Sequence, residues 1–329
     1  MKKIFKIFGI AAGVLVVIIL AGILYFNTAF PKVDPPANVK VEITPERISR
    51  GAYLTNHVTV CMDCHSKRDW TKFTGPVTPG TLGGGGDVFD ENLGFPGKVM
   101  IKNITPASIG NWSDGELIRA ITCGVTKDNR ALFPMMPYPN YNKLDQEDLY
   151  SIVAYIRNLK PIENKLPDTE LNFPLNFIVK TMPIKSRNPM KFDRNNPLEY
   201  GKYLATLAGC IDCHTQSEKG KPLPGMEFAG GEGFQLLPGL VKSANISPDN
   251  ETGIGLWTKE TFIKRFKDFS NDSAKVISVS ENEFNTPMPW TMYAGMTEED
   301  LNAIYDYLRT VKPVHNIVER FKPTNIAKK

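Results

Sequence analysis

The sequence predicts a mostly helical protein, with an N-terminal transmembrane helix followed by two tandem copies of one helical domain. Three observations carry this prediction. A Cys-x-x-Cys-His pentapeptide occurs twice, as Cys61-Met62-Asp63-Cys64-His65 and as Cys210-Ile211-Asp212-Cys213-His214. The residues around the two copies recur in the same order at separations of 142 to 152 residues. Residues 7–26 run without a charge directly after Lys2, Lys3 and Lys6.

The pentapeptide suits one chemistry. Two cysteines three apart form thioethers to the vinyl groups of a haem, and the adjacent histidine is placed on the iron. A bare Cys-x-x-Cys also fits a redox dithiol or half of a zinc site. Zinc needs four donors, and neither pentapeptide is followed within a domain length by a second Cys-x-x-Cys or a spaced histidine pair. Two covalently bound haem c groups are therefore expected, held by Cys61, Cys64, Cys210 and Cys213, with His65 and His214 as proximal iron ligands. Cys123 is left over and reads as a buried, inert thiol.

The chain has 329 residues, 42% of them apolar, enough for one large core or two ordinary ones. The formal charge is +4, of which three charges belong to the leading lysines. Nothing in that balance suggests nucleic acid. As a helix, the uncharged run is ~30 Å long, the thickness of a bilayer core. A cleaved leader is the rival, but its small-x-small ending is poorly matched by Tyr25-Phe26-Asn27-Thr28-Ala29-Phe30-Pro31. An uncleaved anchor over residues 1–30 is expected, with the lysines in the cytoplasm and the rest of the chain on the periplasmic side of the inner membrane.

Residues 31–43 carry three prolines and read as a stalk. A first domain follows over 44–161, a proline-rich linker over 162–195 and a second domain over 196–329. Thr44-Pro45 opens a helix leading to the first pentapeptide, and Asn196-Pro197-Leu198-Glu199, with a capping-box glutamate, opens its counterpart. Gly51-Ala52-Tyr53-Leu54 returns as Gly201-Lys202-Tyr203-Leu204, and Asn103-Ile104-Thr105-Pro106 as Asn245-Ile246-Ser247-Pro248. Trp112 returns as Trp257, Met136-Pro137-Tyr138 as Met288-Pro289-Trp290, and Tyr155-Ile156-Arg157 as Tyr307-Leu308-Arg309. Asp145 and Thr297 are positioned to cap the last helix of each copy, whose apolar residues fall at i, i+3, i+4 and i+7. Ser113 and Glu116 form a capping box for a middle helix. Strand patterns are nearly absent. The glycine run at 83–86 lacks a phosphate-loop ending and reads as a flexible loop. The linker's apolar stretch, 173–182, suggests packing across both domains.

An electron-transfer haem has both axial positions filled, because an open one invites oxygen or peroxide chemistry. Of eleven methionines, Met136 and Met288 recur in register before a Pro-aromatic pair, and they are the expected distal ligands. His57, four residues before Cys61, is the rival; its counterpart stretch, 206–208, holds no histidine, so it reads as a surface or packing residue. His315 lies outside the second core and reads the same way.

With these residues placed, the chain resembles class I cytochrome c domains in tandem, most closely the membrane-bound cytochrome subunits of periplasmic alcohol and gluconate dehydrogenases. The resemblance covers about residues 45–315. It implies about three helices around each haem, with Gly51 and Gly201 letting the first helix cross closely against Tyr155 and Tyr307 of the last. Subunits of that family usually carry three haem motifs, where this chain has two. The expected function is electron transfer, from a dehydrogenase or quinol-oxidising donor to a terminal oxidase or reductase. No residue is expected to do acid-base work. The alternative is a dihaem cytochrome c peroxidase with one open iron, for which the two halves ought to differ at the methionine.

Overall fold

A computed structural model describes residues 2–280 and 282–323. Seven helices of two turns or more carry the fold: α1 (Lys2–Ala29), α2 (Pro45–Tyr53), α3 (Asp114–Cys123), α4 (Gln146–Asn158), α5 (Pro197–Leu207), α6 (Lys259–Lys267) and α7 (Glu298–Leu308). The caps expected from the sequence form. Thr44, Asp145 and Thr297 each accept from a backbone N–H in the first turn, and Ser113 with Glu116 closes a reciprocal box. Asn196 also caps, but Glu199 turns its carboxylate to the N–H of Asp193, so the box expected there is not reciprocal.

α1 is 28 residues long and exposes its apolar side chains along its length. Among the described residues it is the one helix long and apolar enough to cross a membrane. Its last turn meets the linker, where Phe26 lies 6.3 Å from Phe177 and Lys180 donates to Asn27 at 2.5 Å.

The two halves are built alike. α2 crosses α4 at Gly51 and α5 crosses α7 at Gly201. A Cβ at Gly51 would stand 1.9 Å from the Ser151 carbonyl oxygen and 2.7 Å from the Tyr155 Cβ. At Gly201 it would stand 1.9 Å from the Ala303 oxygen and 3.1 Å from the Tyr307 Cβ. Only a hydrogen fits at either crossing. The main core runs through both halves, from Leu54, Leu149 and Ile152 to Leu204, Leu301 and Leu308.

Three expectations need correction. Residues 31–43 do not stand clear as a stalk: Val41 is buried, its N–H donates to Asp114 at 2.8 Å, and the carbonyl of Ala37 lies against Gly115 at the start of α3. The prolines enforce an extended strap, not a free one. The glycines at 83–86 form a packed turn, with positive φ at Gly83, Gly85 and Gly86. Short strands are also present, chiefly Gly97–Met100 and a hairpin of Gly233–Leu236 with Gly239–Lys242, joined by Phe321–Pro323. Each is four residues or fewer, too short to show an alternating pattern.

The halves exchange tyrosines. Tyr53, at the end of α2, donates to Asp300 at 2.5 Å and accepts from the Thr297 N–H at 3.1 Å, at the N-terminus of α7. Tyr203 in α5 donates to Asp148 at 2.8 Å and accepts from the Asp145 N–H at 3.2 Å, at the N-terminus of α4. Both tyrosines and both aspartates are in repeat register. Asp148 is also paired with Arg50 at 2.9 Å and with Arg194, at 2.9 Å, from the linker. Burial opposes its charge, but these guanidiniums hold Asp148 below the usual carboxylate range. Replacing Tyr203 or Tyr53 by Phe leaves a carboxylate oxygen and a helix N–H without that partner. Each change is expected to lower unfolding stability by about 1–3 kcal/mol, measured by urea titration. Unchanged midpoints in both variants would mean that the exchange contributes nothing.

Candidate haem site

Each pentapeptide opens on a left-handed residue, Val60 at φ 44° or Gly209 at φ 65°, and makes a single helical turn, Cys61–Cys64 or Cys210–Cys213. That turn puts the two thiols three residues apart on one side. The histidine after it is fixed from two directions in both halves. His65 Nδ1 lies 2.8 Å from the Lys102 carbonyl, and His214 Nδ1 lies 2.7 Å from the Ala244 carbonyl. The carbonyl of His65 accepts from Gly85 N–H at 2.9 Å, and that of His214 accepts from Gly230 N–H at 2.7 Å. A ring whose Nδ1–H is given to a backbone carbonyl keeps its Nε2 lone pair for a metal. Burial lowers both imidazoles, His214 to about 4, so they are neutral near pH 7. Burial also pushes the Cys210 thiol up to about 12.

Tyrosines tie each pentapeptide to the turn after its methionine. Tyr141 donates to the Thr59 carbonyl at 2.7 Å and Tyr293 donates to the Ala208 carbonyl at 2.6 Å. Both hydroxyls lie near the pentapeptides of both halves: Tyr141 near Cys61, Cys64 and, across the interface, Asp212; Tyr293 near Cys210, Cys213 and, across the interface, Asp63 and Cys64. Burial, foremost, and these neighbours raise both phenols well above 10. The turns after the methionines also cross over. Asn140 hydrogen-bonds Asp212 of the second pentapeptide, and Met292, its repeat counterpart, packs with Met62 of the first. The fold therefore brings the two pentapeptides to one interface.

Met136 and Met288 are both half-buried against the main core, each in a loop whose methionine carbonyl accepts from the N–H two residues on, at 2.7 and 2.8 Å. The donor set fits haem c: a thiol pair on one turn, an oriented neutral imidazole and a methionine loop. No cluster of three or more His, Cys, Asp or Glu suited to a metal ion occurs among the described residues.

The cytochrome c family matches residues 198–312. This chain carries a cytochrome c domain. Similarity to the cytochrome subunits of dehydrogenases extends over most of the chain. It is 29% identical over 278 residues to the fructose dehydrogenase cytochrome subunit of Gluconobacter japonicus, covering 80% of this chain and 52% of that protein. It is 26% identical over 286 residues to the cytochrome c subunit of the quinone-type alcohol dehydrogenase of Gluconacetobacter polyoxogenes, covering 81% and 56%. Against the gluconate 2-dehydrogenase cytochrome c subunit of Pantoea cypripedii it is 25% identical over 282 residues, covering 80% and 59%. The chain thus spans about half the length of the curated relatives it matches.

Sequence reasoning missed Gly85, Gly230, Tyr141 and Tyr293. A signal was present for the tyrosines, which stand three residues after Tyr138 and Trp290 in both copies. Cys123 is buried, as expected. His57 is a packing residue: its ring packs against Gly295, where a Cβ would stand 2.2 Å from its Nδ1, and its Nδ1 is 2.8 Å from the Met292 carbonyl. Burial, with a smaller push from Lys267, holds it below its ordinary 6.5. Its stabilising contribution is therefore complete above pH 6.5 and is lost as pH falls through the lower folded value. His57→Gln is expected to flatten the acid side of the stability profile below pH 6.5. Thermal melts of both proteins from pH 7 to 4.5 check this, and parallel profiles would refute it.

Proposed function

We propose that the chain is a membrane-anchored dihaem cytochrome c. On this reading residues 44–161 and 196–329 each hold one haem, Cys61, Cys64, Cys210 and Cys213 supply the thioethers, and His65 and His214 are the proximal ligands. Met136 and Met288 are the distal ligands. The observation that carries the reading is the repeated histidine clamp, in which a carbonyl at Nδ1 and a glycine N–H at the histidine carbonyl recur in both halves. A covalently bound haem supplies one-electron chemistry at its iron. The protein's part is to hold the imidazole in one tautomer, to keep the methionine loop in place and to exclude water from the iron.

Electrons on this reading enter from a periplasmic dehydrogenase or quinol-oxidising donor and leave for a terminal oxidase or reductase. The dehydrogenase partner is supported by the relatives, each of them a dehydrogenase's cytochrome subunit. The peroxidase alternative finds no support in them. α1 would span the inner membrane, with both haem domains in the periplasm.

The reading predicts two haems per chain by pyridine haemochrome assay, and one in a Cys61→Ala, Cys64→Ala variant. It also predicts a near-infrared sulfur-to-iron band from both sites and no spectral response to peroxide. One haem lacking that band and reacting with peroxide would replace the carrier with an enzyme.

A further inference from the structure

A loop of the first half reaches across to the methionine loop of the second. Arg68 and Val77 pair as an antiparallel bridge and close a turn whose tip lies against residues 277–279 and 285–290. Phe73 N–H donates to the Ile277 carbonyl at 2.8 Å, and Val279 N–H donates to the Thr71 carbonyl at 3.0 Å. Asn285 Nδ2 donates to the carbonyls of Trp70 and Lys72 at 3.3 and 3.1 Å.

Thr74 sits at the centre, fully buried and left-handed at φ 61°. Its N–H donates to Asn285 Oδ1 at 2.8 Å, and the same oxygen accepts from Thr286 N–H at 2.8 Å. Thr286 Oγ1 accepts in turn from the Met288 N–H at 3.1 Å. Thr74 Oγ1 donates to the Met288 carbonyl and accepts from the Trp290 N–H at 3.2 Å. Both backbone groups of Met288 are thus held by a network that begins in the other half. The other end of the loop is braced by Arg68, which donates to the carbonyls of Gly75, at 2.7 Å, and Thr74, and pairs at 2.8 Å with Asp63 inside the first pentapeptide.

Among the described residues the Met136 loop has no such partner. Its N–H donates to the Phe133 carbonyl at 3.2 Å and its carbonyl accepts from Tyr138 N–H, both within the loop. Among the described residues, no hydrogen bond from the second half reaches residues 133–138. The position 149 residues after Thr74, the spacing of the pentapeptides, is Leu223, which has no hydroxyl.

We propose that Thr74 is a positioning residue for the second iron site: a side chain of the first half fixes the loop that presents the Met288 sulfur. Methionine ligation in the second half then depends on the first, and the reverse does not hold. This rests on the assignment of Met288 as a distal ligand. The test uses the full-length holoprotein. In a Met136→Leu background the remaining near-infrared band reports Met288, and in a Met288→Leu background it reports Met136. Thr74→Val is expected to abolish the first of these bands, or to let imidazole displace the sulfur at about tenfold lower concentration, the scale of one net hydrogen bond to a buried partner. Thr74→Ser restores both readouts. The Met136 band and its imidazole midpoint stay unchanged. Asn285→Ala carries the same expectation and serves where Thr74→Val does not accumulate. An unchanged Met288 band and midpoint would overturn the proposal, as would equal loss at both sites. If Met288→Leu alone leaves the second haem's band intact, the ligand assignment itself fails, and that result is read without any change at Thr74.

Discussion

The arrangement depends on the exchange of tyrosines between the halves. A helix N-terminus has backbone N–H groups that its own turns cannot satisfy. Here the N-terminus of each closing helix receives, beyond its own cap, a phenol from the other half: Tyr203 at α4 and Tyr53 at α7. Each phenol also donates to an aspartate that is 2% or 6% exposed, so removing either phenol strands a buried acceptor. The symmetry of the interface is a consequence. Because both contacts use the same registered positions, the pentapeptides and the turns after the methionines are brought face to face as well. Asn140 then meets Asp212, and Met292 meets Met62.

Within that symmetry the two sites are not equivalent. Asp63 is buried and paired with Arg68, and burial raises it to about 6 against that pull, while Asp212 is exposed and accepts from the neutral amide of Asn140. His57 lies on Gly295, whereas its counterpart Leu207 is an ordinary core residue. Thr74 secures one methionine loop, and among the described residues no side chain of the second half does the same for the other. These differences all sit where one half touches the other, and duplication of a sequence leaves such contacts free to diverge.

What was legible in the sequence was local. Thr44, Ser113, Asp145 and Thr297 announced their helices because a cap and the N–H it satisfies lie within three residues. Gly51 and Gly201 were legible through the repeat, and Tyr155 and Tyr307 lie at their crossings as the resemblance implied. The role of Tyr53 and Tyr203 was not, although both were part of the repeated Gly-x-Tyr-Leu, because an acceptor in the other half leaves no spacing to read. The strap at 37–41 was misread for a related reason. Three prolines state that the chain is extended, but not that Ala37 will lie against Gly115 or that Val41 will meet Asp114. The glycine turn was read as loose because φ values near 79° and 65° are invisible until the carbonyl of His65 is known to need Gly85.

The exchanged tyrosines are alike in space and unlike along the chain. Tyr203 and Asp148 are 55 residues apart, whereas Tyr53 and Asp300 are separated by 247. Closing the longer loop costs about 1 kcal/mol more in chain entropy. Chain entropy therefore weighs more heavily on the Tyr53 contact than on the Tyr203 contact, although the two are alike in geometry.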